Sequence, residues 1–428
     1  MEATRYSGSF PAARALLGTR LHGVTPFPGF QSQPTPQLHA IAHLVYAFSS
    51  PRNMPALRIL HVYKDFDPPI HGGIEKHIAL MCRYQQPHAQ VRALVCSREA
   101  ATRTAIHEGI PLTLVGEWGR FQSAPLSPAF PWHLWRAPED VIVIHTPNPT
   151  AEIGWLLTRP RGRMVVRYHS DVVRQAGAMR VYGPVLMNFL RGADIILPTS
   201  ARYVETSPWL REVRDACVPV PLGIEPERFA QADPERVSAL RKEHGGDFVF
   251  FCGMHRYYKG LRWLVEAAPR IGAKVVIAGG GPGREALMRQ AAETGVHIAF
   301  PGPLSHEELV AHLHACAVFV FPSVERSEAF GISILEAHAA GRPVVATRLG
   351  TGVEYANEDG HTGINVPPRD AAALADAVNA LLANAPRRAA LGEQARQRVT
   401  AEFDVRRVAM RELELYQQVL DGNRRAAG

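Results

Sequence analysis

Short apolar runs separated by longer amphipathic stretches fill this chain, and the pattern runs through once and then starts again. LRILHV (57–62), VRALVC (91–96), PLTLV (111–115), VIVIH (141–145), RMVVRYH (163–169) and DIILP (194–198) form the first set. Their near-continuous Val, Ile and Leu content predicts strands covered on both faces, the mark of a parallel sheet clothed by helices. Helices are expected at 74–84, 149–158 and 181–191. Strand-like ACVPVPLG (216–223) leads to IEPERF, whose prolines suit a connection. The second set comprises 247–253, 273–281, 297–301, 317–323 and 342–347, with helices expected at 260–270, 284–294, 306–315 and 331–340 and nearly throughout 369–420. The pattern predicts an α/β chain with two Rossmann-like, doubly wound parallel-sheet domains, 54–222 and 223–402, and a terminal segment, 403–428. The carboxyl ends of the strands would face a cleft, where such sheets bind ligands.

A chain of 428 residues suffices for two domains with proper cores. Five scattered cysteines, odd in number and without a CxxC, argue against a disulfide framework or zinc site. No run approaches the roughly 18 apolar residues that span a bilayer. Residues 1–53 are rich in Pro, Gly, Ser and His and precede Met54, so they are expected to be disordered or an over-long start. The net charge of +7 raises nucleic-acid binding, but no dense basic run with interleaved aromatics supports it. Arg159, Arg161, Arg163, Arg167, Arg174 and Arg180 make the most basic stretch, which would attract anionic lipid or simply be scattered surface arginines.

RSEAFGISILE (326–336) carries the most chemical information. Gly331 opens a turn and the run continues into EAHAAG as a helix, which puts Glu328 in the preceding loop and Glu336 on the second turn. Eight residues of helix rise about 12 Å, the size of a sugar joined through a diphosphate to a ribose. The N–H groups of Phe330, Gly331 and Ile332 would point from the positive helix end between the two carboxylates, where a diphosphate fits. Glu328 is therefore expected on sugar hydroxyls and Glu336 on ribose hydroxyls; two solvated helix glutamates are the bland alternative.

Other segments supply matching parts. YKDFDPPIHGGIEKHI sets Gly72 and Gly73 before a helix, where the bare backbone can approach a phosphate or an acceptor. Asp65 and Asp67 in that loop could hold Mg²⁺, but they are read as loop residues and no metal site is assigned. GMHRYYKG (253–260) offers Lys259, a point charge for a leaving diphosphate, with Arg256 nearby. From Gly281, VVIAGGGPGREALM (275–288) resembles a dinucleotide fingerprint, yet the next strand ends without an acidic residue. Gly281 is therefore expected to line a nucleotide pocket, and the loop with Gly302 and Leu304 to offer backbone groups to the base. His145 in HTPNP and Tyr203 in SARYVETS, with Ser207, are candidates for the acceptor side.

Together these segments resemble the family 4 retaining glycosyltransferases of the GT-B fold, from about Leu57 to the C-terminus. Within that family they look most like bacterial mannosyl- and rhamnosyltransferases of surface polysaccharide synthesis. In RMVVRYHSDVVRQ (163–175) the YHSD pattern matches the family's, which implies that His169 sits near the reacting carbon and the acceptor. The resemblance further implies GDP-mannose as donor, no required metal or other cofactor, retention through front-face attack and a saccharide or lipid-linked saccharide acceptor. It also implies a cytoplasmic location with contact at the inner membrane face, a last helix packed on the first domain, and a donor-enclosing loop at 348–355. One departure is clear: the family carries arginine directly after the glycine where this chain has Met254, so Arg256 is the candidate second cation. A nucleotide-sugar epimerase of the same fold is the alternative, followed by a dinucleotide-binding oxidoreductase and a non-catalytic sugar-nucleotide sensor. No Walker lysine motif, Gly-x-Ser-x-Gly elbow or HExxH is present.

Overall fold

In the computed structural model, residues 57–70, 72–121, 124–172 and 176–426 are described; the expectation for residues 1–53 lies outside them. The first sheet begins with β1 (Arg58–Val62), β2 (Gln90–Cys96), β3 (Arg103–His107) and β4 (Ile110–Val115). A two-strand ribbon, β5 (Arg120–Phe121) with β6 (Ala124–Pro125), precedes its last three strands, β7 (Val141–Thr146), β8 (Arg163–Tyr168) and β9 (Ile195–Pro198). Their order is β3-β4-β2-β1-β7-β8-β9, parallel except for β3, an antiparallel edge that the hydrophobic pattern did not announce. Every residue of β7 is buried, as a strand covered on both faces requires.

The second sheet uses β10 (Phe248–Cys252), β11 (Lys274–Ala278), β12 (Ala299–Gly302), β13 (Val318–Phe321), β14 (Val344–Thr347) and β15 (Gly363–Val366). It runs β12-β11-β10-β13-β14-β15, all parallel. Strand β15 is also missed, because its GINV sequence is too short and mixed to stand out. Residues 216–223 do not form a strand: Val218 and Val220 donate to β9, but Pro219 and Pro221 have no N–H, so only an isolated bridge at Cys217 forms.

Helices cover both faces of each sheet. On the first lie α1 (Gly73–Gln85), α2 (Phe130–Trp135), α3 (Pro149–Thr158), α4 (Ala176–Arg191) and α5 (Ala201–Thr206). On the second lie α6 (Pro234–His244), α7 (Leu261–Ala267), α8 (Arg284–Glu293), α9 (His306–Ala315), α10 (Ile332–Ala339), α11 (Val353–Ala356), α12 (Ala371–Leu382) and α13 (Ala385–Glu402). The final helix, α14 (Val405–Ala426), returns to the first sheet, where Val405, Val408, Leu413 and Tyr416 join a core with Ile59, Val91 and Val143. Ile224 and the start of α14 exchange backbone hydrogen bonds, which pins the return. Among the described residues no helix is long and apolar enough to cross a membrane.

Candidate active site

In each sheet the chain starts in the middle, winds outward one way, then returns and winds the other, so neighbouring loops part between β1 and β7 and between β10 and β13. Crevices open at such reversal points, outside the carboxyl ends of the strands. Here both contribute to one cavity of about 760 Å³, lined from the first sheet by the loops after β1, β7 and β8 and from the second by those after β10 and β13. It gathers Gly72, Gly73, His169, Arg256, Lys259, Glu328, Phe330, Gly331 and Ile332.

Lys259 closes a 3₁₀ turn and is followed by Gly260 at φ 66°. A Cβ at Gly260 would stand 1.9 Å from the Pro322 carbonyl oxygen, so the turn can lie against the exit of β13 only with glycine there. That approach brings Lys259 Nζ 2.5 Å from Glu328 Oε2, which also accepts from Ser323 Oγ at 3.0 Å. The Glu328 backbone is tied as well, its carbonyl accepting from Thr351 Oγ1 at 2.9 Å. Three residues on, Gly331 at φ 89° turns the chain into α10 and leaves Phe330–Ser333 along the cavity wall.

Opposite this helix start lies another. Gly72 caps α1 in an extended conformation, and a Cβ on Gly73 would come 3.6 Å from Ile332 Cδ1 of α10. Two positive helix ends thus converge, with Lys64, Arg256 and Lys259 around them. The Glu75 carboxylate folds back over Gly72, and burial raises its carboxyl against the pull of its own amide.

His169 leaves the end of β8 with its N–H donating to the Thr146 carbonyl, 3.1 Å away. It is nearly buried yet lines the cavity, and burial, then the charges of His77 and Arg167, hold its imidazole well below the usual range. Asp65 is engaged by Arg120 and Arg98; burial alone would raise its carboxyl, but those hydrogen bonds outweigh burial and hold it low. Among the described residues no group of three or more metal-binding side chains assembles.

Several expectations need correction. His145 is fully buried between His61 and His169 and does not reach the cavity, so it is no acceptor-facing group. Tyr203 is equally buried; its hydroxyl accepts from the Asp171 N–H at 2.6 Å and its ring lies under Arg326. Ser207 is buried too, donating to Asp171. Leu304 packs its side chain against the core of the second sheet. Gly281 at φ 133° lies against the His255 backbone, beside a second cavity that Gly283 and Arg256 line. Glu336 sits on the second turn of α10, partly buried and off the lining of the larger cavity; burial raises its carboxyl while Lys76, Arg228 and Lys259 oppose the rise. Of the basic stretch, Arg167 is fully buried in an ion pair with Glu412, and Arg163 pairs with Asp194. Sequence reasoning also missed Lys64, whose place at the exit of β1 was a readable signal, and Arg326, whose 3.1 Å ion pair with Asp171 joins the two sheets' loops and was not.

Two doubly wound sheets facing a cleft that holds a partly buried Lys–Glu pair, two helix starts and a histidine define the sugar-transferring GT-B class. The Glycosyl transferase 4-like domain model matches residues 72–223, and the Glycosyl transferases group 1 model matches 233–398. O-antigen chain mannosyltransferase C of Escherichia coli is 34% identical over 371 residues, 85% of this chain and 99% of that protein. D-rhamnosyltransferase WbpZ of Pseudomonas aeruginosa is 31% identical over 365 residues, 81% and 92% of the two chains. In solved structures the fold recurs in sucrose-phosphate synthase from Thermosynechococcus elongatus, with TM-score 0.72, 21% identity and 86% of this chain against all of that one. It recurs again in Anabaena HepE in complex with UDP, at 0.68, 17% and 85% against 100%. The chain belongs to the family 4 glycosyltransferases of the GT-B fold. It is an enzyme that moves a sugar from a nucleotide-sugar donor to a saccharide acceptor.

Proposed function

We propose that this glycosyltransferase moves mannose from GDP-mannose, with retention of configuration, to a growing saccharide carried on a lipid. The reading rests on one observation: Lys259, Glu328 and the start of α10 meet the Gly72-Gly73 helix start and His169 in one cavity. In this reading the helix amides at Phe330–Ile332 and the cations Lys259 and Arg256 take the charge that develops on the departing diphosphate. Such preorganised electrostatics supply much of the barrier reduction in enzymes of this kind. Glu328 orients sugar hydroxyls at the wall of that cavity. The mannose assignment is supported by the mannosyltransferase among the relatives at 34% identity and by a GDP-mannose-dependent mannosyltransferase of Mycobacterium tuberculosis at 37% over 199 residues.

A lipid-borne acceptor also accounts for the surface around α2, α3 and α4. Trp118, Phe121, Trp132, Trp135, Leu157 and Val181 are all exposed on the β5–β6 ribbon and these helices. The ribbon is tied to α3 by Thr150 Oγ1 donating to Pro125, and α3 to α4 through Glu152 and Tyr182. Arg136, Arg159, Arg161, Arg180 and Arg191 are exposed among them. The carboxylates of this stretch, Glu139, Asp140, Glu152 and Asp171, are buried or paired. Exposed tryptophans beside arginines that, among the described residues, face no carboxylate partner suit an anionic bilayer surface, where rings sit at headgroup level.

Donor identity is tested by thermal shift with GDP-, UDP- and dTDP-sugars. GDP-mannose at about 100 times its Kd should stabilise by about 2.7 kcal/mol, and free GDP should appear only when acceptor is added. Stabilisation by another nucleotide-sugar but not by GDP-mannose would overturn the assignment.

A further inference from the structure

Behind His169 runs a line of buried side chains that the transfer scheme leaves unused. His169 Nε2 lies 2.8 Å from His145 Nδ1, and His145 Nε2 lies 3.0 Å from His61 Nδ1. His61 Nε2 is 2.9 Å from Gln85 Oε1, and Gln85 Nε2 donates to Glu412 Oε2 at 3.3 Å. Glu412 is further held by Tyr416 Oη, donating at 2.7 Å, and by its ion pair with Arg167 at 3.1 Å. Every member is buried.

A neutral imidazole has one donor and one acceptor, so the orientation of one end propagates along such a line. The Gln85 amide nitrogen must face Glu412, because a carboxylate only accepts. Gln85 Oε1 then requires the proton on His61 Nε2, which leaves His61 Nδ1 a bare acceptor for His145 Nε2–H. His145 Nδ1 in turn accepts from His169 Nε2–H. An added proton on His145 would set two N–H groups nose to nose, so the line also excludes the imidazolium. His169 Nδ1 is left with a lone pair; it is buried, and among the described residues it has no hydrogen-bond partner, in a residue that borders the cavity.

We propose that His145, His61, Gln85 and Glu412 are positioning residues that lock His169 in its Nε2–H tautomer, so that Nδ1 can only accept a hydrogen bond from a hydroxyl in the cleft. The last helix, α14, thereby sets the state of a side chain in the cavity at the far end of the line. Only the identity of that hydroxyl, on mannose or on the acceptor, rests on the transferase reading.

The test reads tautomers directly, by long-range ¹H–¹⁵N correlation on the full chain labelled in histidine, with His61, His145 and His169 assigned through single-site variants. At pH 7 all three should be neutral with the proton on Nε2. A proton on Nδ1 of His169, or an imidazolium there, would overturn the proposal. This arm uses no substrate, so a failure of GDP-mannose transfer leaves it intact. Gln85→Leu should then give His169 a mixed tautomer signature and lower kcat about tenfold, with the donor KM within about twofold. Gln85→Glu keeps an acceptor facing His61 Nε2 whether or not its carboxyl is ionised, so it should preserve the Nε2–H tautomer of His169 that Gln85→Leu loses. An unchanged His169 spectrum and unchanged kcat in Gln85→Leu would also overturn it.

Discussion

Lys259 and Glu328 are 69 positions apart in the chain, and their 2.5 Å contact depends on a single backbone permission at Gly260. The lysine was readable from the sequence because it sits at a strand exit before a glycine. Its pairing was not, since nothing in GMHRYYKG says that β10 and β13 are neighbours. With Ser323 and Thr351 holding Glu328 from the other side, loss of the ammonium should leave the acid in place. Lys259→Met is expected to fold normally and to lower kcat by about 10²- to 10³-fold, as removal of one preorganised charge partner does. Steady-state transfer assays check this, and a kcat within twofold of wild type would remove Lys259 from the leaving-group role. His145 and Tyr203 show the converse: both stand at plausible strand or helix positions, and both are covered by side chains from elements remote in sequence.

Among the elements, α14 does the most that its sequence does not announce. Its apolar spacing shows a helix with one buried face, but not which sheet that face meets. The structure buries it under β1, β2 and β7, where Glu412 neutralises Arg167 of β8. Arg167 also donates to the carbonyls of Leu197, Val220 and Pro221, so it stays buried whether or not its partner is present. A buried charge stripped of its partner is costly. Glu412→Ala should therefore destabilise the protein by about 3–5 kcal/mol, measured by urea denaturation. A loss below about 1 kcal/mol would show that the three carbonyls suffice to solvate the guanidinium.

For the whole molecule, charge and burial make two further outcomes testable. The exposed aromatic and arginine face predicts that the full chain sediments with phosphatidylglycerol vesicles and is released by salt, since headgroup attraction decays within a Debye length. Binding to neutral phosphatidylcholine vesicles as strong as to anionic ones would contradict the assigned surface. The second outcome is pH dependence. Burial lowers His61, His77, His145 and His169, and takes His338 to about 3. The native chain then stays unprotonated at these sites while the unfolded chain takes up protons below pH about 6.5, so stability falls as pH falls, by up to about 1.4 kcal/mol per pH unit for each. Glu75, Glu152 and Glu336, raised by burial, act in the opposite sense, but they are three against five. The melting temperature should be lower at pH 5.5 than at pH 7.5; an equal or higher value would mean that the histidines are protonated in the fold.

The periodicity of apolar runs alone determined that this chain builds two parallel sheets, because strands buried on both faces must be apolar throughout and their spacing leaves room only for crossover helices. Local chemistry likewise marked Glu328, Lys259 and the Gly72-Gly73 pair, at the ends of strands or the starts of helices where parallel sheets gather ligands, and the family's YHSD pattern marked His169. Which of the marked side chains face the cleft was decided by the tertiary structure. Strand order and helix return are set by contacts between residues tens to hundreds of positions apart, and these turned His145 inward, tied Arg326 to Asp171 and carried Glu412 of the last helix to Gln85 of the first. Local sequence specifies local conformation, whereas burial is a property of the assembled core.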